Sequence, residues 1–98
     1  MNLKEFEGIN SRKISTSRGE FHYLEKEGSG PTVVLIHGNV SSSHLFQPLM
    51  VELDGYRVIA PDLRGFGLSP ALPVDATRGV RDFSDDVAAV MGSLGISA

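Results

Sequence analysis

The stretch PTVVLIHGNVSSSH, from Pro31 to His44, decides the fold of this chain. Its apolar residues 33–36 run without a break into the His-Gly-Asn triplet at 37–39, and serines follow. An apolar, largely β-branched run that stops at a glycine predicts a strand buried on both faces, here over 32–37. Such strands belong to parallel sheets, and open α/β sheets bind ligands just beyond the carboxyl ends of their strands. We therefore expect the chemistry of this protein at the His-Gly-Asn turn.

The composition is that of one small globular domain. The 98 residues are 41% hydrophobic and 21% charged, and a net charge of −3 gives no electrostatic case for binding nucleic acid or an anionic membrane. The absence of cysteine excludes disulfides and thiolate metal sites. The N-terminus has no apolar signal-like region, and no apolar run approaches a membrane-spanning length. We therefore expect a soluble, cytoplasmic protein.

Apolar periodicity and turn residues predict further elements on both sides of the opening stretch. They are a hairpin over 9–27 that turns at Arg18-Gly19, an irregular turn at 42–46, a helix from Gln47 to Asp54-Gly55, a strand over 56–60 and a helix over 81–95. Pro48 lacks an N–H and suits only the first turn of a helix, which sets the expected start of the first helix.

The order of strand, His-Gly-Asn turn, helix, strand and the loop PDLRGFGLS (61–69) resembles the N-terminal third of an α/β-hydrolase-fold protein. Together with the hairpin, the resemblance covers essentially the whole chain, so residues 1–98 are identified as the N-terminal segment of a single α/β-hydrolase domain. It implies an α/β fold with an antiparallel hairpin, then parallel strands with flanking helices. The implied strand order is 1-2-4-3-5 and onward.

The resemblance also implies which parts lie elsewhere. Family members carry their nucleophile in a G-x-S-x-G elbow after the next strand, and no G-x-S-x-G occurs in this sequence. The acid and the base histidine would also lie downstream. We therefore expect the fold to be incomplete without a C-terminal continuation or a complementary chain. The strand at 32–37 would then have an open edge, which predicts that the isolated chain is poorly soluble or oligomeric.

Asn39 is the main candidate for a catalytic role. The resemblance implies that the residue after His-Gly donates a backbone N–H to the oxyanion hole, and that Gly38, Asn39 and Val40 contact the substrate. The alternatives are a turn-forming asparagine that tolerates left-handed geometry, a glycine needed for close backbone approach, and a valine that packs in the core.

Other polar residues are expected to have structural roles. The resemblance gives His37 the role of orienting the turn through hydrogen bonds to the backbone, and not that of the catalytic base. Asp62, Arg64 and the nearby glycines are expected to shape a tight loop against the turn. No metal or cofactor is expected, because His22 and His44 each have no second ligand at metal spacing and an aspartate group predicts only a solvated helix start. That group comprises Asp82, Asp85 and Asp86.

The resemblance implies a serine hydrolase that cleaves a carboxylic ester or lactone. An aspartate nucleophile would instead give a haloalkane dehalogenase or an epoxide hydrolase, and in halide-releasing members the asparagine side chain of the His-Gly-Asn turn binds the halide. A ligand-binding or inactive fragment of the same fold is the non-enzymatic alternative. The expected partners are a small-molecule substrate and the complementary hydrolase chain or continuation, with no nucleic acid and no membrane.

Overall fold

The computed structural model describes residues 5–37, 42–69, 72, 77 and 81–96. They contain strands β1 (Ile9–Thr16), β2 (Gly19–Lys26), β3 (Thr32–Val34) and β4 (Arg57–Pro61), helices α1 (Gln47–Glu52) and α2 (Arg81–Ser93), and a 3-10 helix at Ser43–Phe46. The strands form one mixed sheet in the order β1-β2-β4-β3. This confirms the predicted α/β fold, with an antiparallel hairpin followed by a parallel pair.

Strands β1 and β2 form the predicted hairpin. They pair antiparallel, from Ile9 opposite Lys26 to Thr16 opposite Gly19. The turn is closed by the Thr16 hydroxyl, which donates to the Gly19 carbonyl at 2.8 Å and accepts from the Arg18 N–H at 3.1 Å. Gly19 has a φ of +132°, which explains why glycine stands at this position.

Strand β4 lies at the centre of the described sheet. It pairs antiparallel with β2 and parallel with β3, and its residues Val58, Ile59 and Ala60 are fully buried. The Leu35 N–H donates to the Ile59 carbonyl at 2.9 Å, which extends the parallel pairing beyond β3. Because β3 and β4 are parallel, the segments that follow them emerge at the same edge of the sheet.

Strand β3 is shorter and more exposed than the sequence predicts. It covers Thr32–Val34 instead of 32–37, it is at most half-buried, and Ile36 beyond it is 46% exposed. The prediction of burial on both faces is therefore wrong. The reason is that β3 pairs only with β4 among the described strands, so it lies at an edge of the sheet as the open-edge expectation required.

The helices begin where the sequence predicts, and they end at Glu52 and Ser93, each about two residues before the predicted end. The irregular turn is the 3-10 helix, and α1 follows from Gln47 with Pro48 in its first turn. Helix α2 ends before Gly95, which has a φ of +73°, and the Ile96 N–H caps the Met91 carbonyl at 2.9 Å. One core cluster joins the sheet to α1, and its buried members are Ile9, Leu24, Met50, Val58 and Ala60. None of the helices in the described ranges is long and apolar enough to cross a bilayer.

Candidate functional site

Residues 35–37 follow β3 at the carboxyl edge of the sheet, and the 3-10 helix begins at Ser43. The predicted oxyanion donor Asn39 and the predicted substrate contacts Gly38 and Val40 lie outside the described residues. The described structure therefore defines this candidate turn by its two flanks, which are His37 on one side and Ser43 on the other.

His37 is held by the loop that follows β4. The Leu63 N–H donates to His37 Nε2 at 2.9 Å, and the buried imidazole packs edge to face against Phe66 with ring centroids 5.4 Å apart. Because Nε2 accepts this bond, the neutral ring carries its proton on Nδ1. This arrangement confirms the predicted structural role of His37, which orients the chain through a hydrogen bond to the backbone.

Asp62 holds the other flank. Its side chain is buried, and Oδ1 accepts the Ser43 N–H at 2.6 Å. Oδ2 accepts the Leu68 N–H at 3.1 Å and His22 Nδ1 at 2.6 Å. One carboxylate thus joins the start of the 3-10 helix to β2 and to the loop after β4. Of the His-Gly-Asn turn, the described contacts with this loop are those of His37 with Leu63 and Phe66.

The two flanks are held by consecutive residues. Asp62 fixes Ser43 and the backbone of Leu63 fixes His37, so the ends of the segment between them have a common support. Hydrogen bonds to buried groups are costly to break, because the freed donor or acceptor remains unsatisfied. The two described flanks, His37 and Ser43, are therefore both anchored to the loop after β4.

The environment of Asp62 keeps its carboxyl ionised. Burial alone would raise the pKa of Asp62, but the hydrogen bonds from His22 and from the backbone N–H groups of Ser43 and Leu68 outweigh it and hold that pKa below its ordinary value. An ionised carboxylate acts only as an acceptor, which matches its three donor partners.

His22 is fully bonded, which the sequence did not reveal. Its Nδ1 faces Asp62, its Nε2 lies 2.5 Å from the Ser11 hydroxyl, and its backbone N–H donates to the Ser69 hydroxyl at 3.0 Å. The sequence predicted only that His22 has no second ligand at metal spacing, and these hydrogen bonds do not bear on that prediction. The series Ser11, His22 and Asp62 has the order of a catalytic triad. The His22 ring, however, is 1% exposed and is covered by the stacked ring of His44, so it is not accessible to a substrate and we interpret the series as structural.

His44 stacks on His22, with parallel rings whose centroids are 5.7 Å apart. It is 9% exposed, and neither ring nitrogen has a hydrogen-bond partner among the described residues. Desolvation lowers the pKa of His44, against the opposing effect of the nearby Asp62 charge, so the ring favours the neutral form. In the ranges that the structure describes, no group of three or more His, Cys, Asp or Glu residues could hold a metal.

The glycines of the loop at 61–69 shape it around Asp62. Gly65 has a φ of +76° and open space where a Cβ would stand, whereas Gly67 has a φ of +54° and a Cβ there would overlap the Asp62 carboxyl. That carboxyl cannot move aside without loosening its bonds to His22 and Ser43. Gly67 is therefore required for both its backbone conformation and its lack of a side chain.

Gly67→Ala is expected to lower the free energy of unfolding by about 1–3 kcal/mol more than Gly65→Ala does. Both substitutions place a side chain at a positive φ, which costs about 1–2 kcal/mol, but only Gly67→Ala adds the overlap with Asp62, a form of overpacking. Urea unfolding of the two variants measures the difference. Equal losses would contradict the close approach of Gly67 to the carboxyl.

Two of the three aspartates at the start of α2, Asp82 and Asp86, are not solvated, whereas Asp85 is partly exposed. Asp86 is 2% exposed and Asp82 is also buried. Arg64 donates two hydrogen bonds of 2.6 Å to Asp86, from Nε to Oδ2 and from Nη2 to Oδ1. Arg18 in the hairpin turn bonds Asp86 at 2.8 Å and Asp82 at 3.1 Å. The prediction was wrong because two distant guanidinium groups compensate for the desolvation of these carboxylates.

An apolar cavity lies next to the anchored flanks. Its volume is about 320 Å³, and it is lined by Ile36, Leu63, Phe83, Ser84 and Val87. Ile36 precedes His37, and Leu63 follows Asp62, so the cavity adjoins the same edge of the sheet as the candidate turn. Apolar concave surfaces with a few polar groups nearby are typical of sites for small organic ligands.

A family model described as the alpha/beta hydrolase fold matches residues 31–98. The chain belongs to the alpha/beta hydrolase fold family. This confirms the resemblance that the sequence shows through the His-Gly-Asn turn and the loop at 61–69. The match begins at Pro31, so it includes both anchored flanks of the candidate turn.

Individual relatives are hydrolases of several kinds. Haloalkane dehalogenase 2 of Mycobacterium tuberculosis is 48% identical over 60 residues, which are 60% of this chain and 21% of that protein. The 2-(acetamidomethylene)succinate hydrolase of Mesorhizobium japonicum is 39% identical over 87 residues, which are 86% of this chain and 30% of that protein. A solved structure of an N-acyl homoserine lactonase superposes with a TM-score of 0.79 and 38% identity, covering 90% of this chain and 33% of that one. The chain thus spans between a fifth and a third of the length of these relatives.

Proposed function

We propose that this chain forms part of a serine hydrolase that cleaves a carboxylic ester or a lactone. Its contribution is the turn at 38–41, in which the Asn39 N–H stabilises the negative charge that develops on the substrate carbonyl oxygen. Gly38, Asn39 and Val40 contact the substrate. The single observation that carries the proposal is the anchoring of both flanks of this turn by Asp62 and Leu63, since a donor lowers the barrier only if it is held in place beforehand.

The remaining groups come from a complementary chain or from a continuation of this one. A serine in a G-x-S-x-G elbow attacks the carbonyl carbon and passes its proton to a histidine, while the carbonyl oxygen becomes an oxyanion. The Asn39 N–H and the N–H after the nucleophile bind that oxygen. Collapse of the intermediate expels the alcohol, which takes the proton from the histidine, and water then releases the acyl group. The reaction requires neither a metal nor a cofactor, and we place it in the cytoplasm.

The substrate class is supported by the neighbours and by the cavity. The similarity to the N-acyl homoserine lactonase supports a cyclic or linear ester as the substrate. The apolar cavity beside Ile36 and Leu63 is suited to the hydrocarbon portion of a small acyl compound. The net charge of −3 gives no reason to expect a polyanionic substrate.

A second candidate function keeps the fold and changes the nucleophile to aspartate. The 48% identity to haloalkane dehalogenase 2 favours it, although that match covers only 60 residues. In this case the Asn39 side chain, and not its backbone N–H, would bind the departing halide. An epoxide hydrolase with an aspartate nucleophile is the related possibility, and an inactive or ligand-binding protein is the non-enzymatic one.

A substrate panel separates these candidates. The native protein, purified with any chain or continuation that accompanies it, is assayed with a nitrophenyl ester, an aliphatic lactone, a bromoalkane and an aryl epoxide. Hydrolysis of the ester or the lactone with saturation kinetics is the expected result. Halide release or diol formation alone would replace the serine proposal with the aspartate one, and no turnover of any compound would leave the binding or inactive alternative.

A further inference from the structure

The loop after β4 carries three successive anchors. Asp62 receives the Ser43 N–H, the Leu63 N–H bonds His37, and Arg64 bonds Asp86 of α2. The first two anchors hold the flanks of the candidate turn. The third connects that same loop to a helix that contributes neither flank.

The contact between Arg64 and Asp86 has a well-defined geometry. Arg64 and Asp86 form a two-bond fork at 2.6 Å for each bond, and both side chains are buried. A planar guanidinium that engages both oxygens of a carboxylate is fixed in direction as well as in distance. Arg64 directly follows Leu63 and Asp62 in the chain, so its contact with Asp86 restrains the backbone next to both of these anchors.

Arg18 serves as a control for Arg64, because both arginines bond Asp86. It donates to the same carboxylate of Asp86 at 2.8 Å, but it belongs to the hairpin turn between β1 and β2 and is partly exposed. Removing either arginine takes one guanidinium from Asp86. Only the removal of Arg64 also releases the loop that holds His37 and Ser43.

We propose that Asp86 and Arg64 are positioning residues for His37 and Ser43, the described flanks of the candidate turn, and that they act through the loop residues Asp62 and Leu63. This inference rests on the proposed function, because it assigns them an effect on the rate of that reaction. Catalytic donors are sensitive to such support, and a displacement of about 1 Å costs about 100-fold in rate.

The test compares Arg64→Gln with Arg18→Gln in the native protein. Arg64→Gln is expected to lower kcat for ester hydrolysis by about 10- to 100-fold while KM changes less than about threefold. Arg18→Gln is expected to leave kcat within about twofold of the parent while still lowering the stability of the fold. Arg64→Lys keeps the charge without the fork and is expected to fall between the parent and Arg64→Gln.

Hydrogen exchange gives a readout that does not depend on activity. Arg64→Gln is expected to speed exchange at the Leu63 and Ser43 amides, whereas Arg18→Gln is expected to leave these two amides protected. Equal effects of the two variants on kcat, or unchanged exchange at Leu63 and Ser43, would overturn the inference. If Arg64→Gln does not fold, Arg64→Lys carries the same comparison. If the parent hydrolyses no substrate, the proposed function fails, and the exchange comparison alone decides the positioning role.

Discussion

Asp62→Ala is expected to lower the free energy of unfolding by about 3–5 kcal/mol, the range for breaking a buried pair by removing one partner. The substitution leaves His22 and the backbone N–H groups of Ser43 and Leu68 without their acceptor in a buried region. Urea unfolding followed by circular dichroism measures the loss. Asp54→Ala, at an exposed aspartate in the turn before β4, is the matched control and is expected to change stability by less than about 0.5 kcal/mol.

The pH dependence of stability gives the same prediction an independent check. The folded-state pKa of Asp62 lies below its ordinary value, so its contribution is present above that ordinary value and is lost as the pH falls through the folded pKa. In Asp62→Ala, the free energy of unfolding should therefore fall less steeply with decreasing pH in the acid range than it does in the parent. The pKa of His44 in the folded state is also lowered. The variant should therefore still lose stability as the pH falls below the ordinary histidine value of 6.5. If the free energy of unfolding depended on acid pH in the same way in Asp62→Ala and in the parent, the stabilising role of this carboxylate would be contradicted.

Asn39→Pro is expected to lower kcat for ester hydrolysis by about 100- to 1,000-fold, the usual effect of removing one oxyanion donor. Proline has no backbone N–H, whereas alanine keeps it, so Asn39→Ala is expected to retain most of the activity. The comparison is made by steady-state kinetics on the native protein, with thermal unfolding as a check that both variants fold.

The same pair of variants separates the two nucleophile hypotheses. If the asparagine side chain binds a halide, Asn39→Ala should abolish dehalogenation although the N–H remains. If the backbone N–H is the donor, only the proline variant should be severely impaired. Equal and small effects of both substitutions on ester hydrolysis would remove Asn39 from the proposed mechanism.

Much of the fold was predictable because its signals are local. The hairpin turn at Arg18-Gly19, the helix start at Pro48 and the helix end at Gly95 each depend on the chemistry of one or two residues. The loop at 61–69 was also recognisable, because its glycines have a backbone role that no other residue can fill. The strand order followed from the family resemblance and not from these local patterns.

The contacts that hold the candidate turn were predictable only in part. The structural role of His37 followed from its place in the motif, but its partner Leu63 did not. His22 meets Asp62 because β2 and β4 pair with Tyr23 opposite Pro61, which makes 22 and 62 the next opposed positions. Sequence periodicity does not define that register, so the most connected buried group of the site was missed.

Burial of charge was the other source of error. Asp82 lies in the first turn of α2 and Asp86 one turn later, and acidic residues near a helix start usually face solvent. Their burial depends on Arg18 and Arg64, which lie at least 18 positions away in sequence and reach α2 only in the folded chain. Ile36 is exposed because β3 has a neighbouring strand on one side only among the described strands. The number of neighbouring strands cannot be read from an apolar residue type.

The central claim is that these residues supply the anchored oxyanion turn while the nucleophile lies outside them. The most direct measurement is to react the native protein with a fluorophosphonate, which labels activated serines, and to map the adduct by peptide mass spectrometry. We expect one labelled serine, in a G-x-S-x-G sequence on the complementary chain or continuation. An adduct on a serine within residues 1–98, such as Ser11 beside His22, would contradict it, and so would the absence of any adduct on a protein that hydrolyses esters.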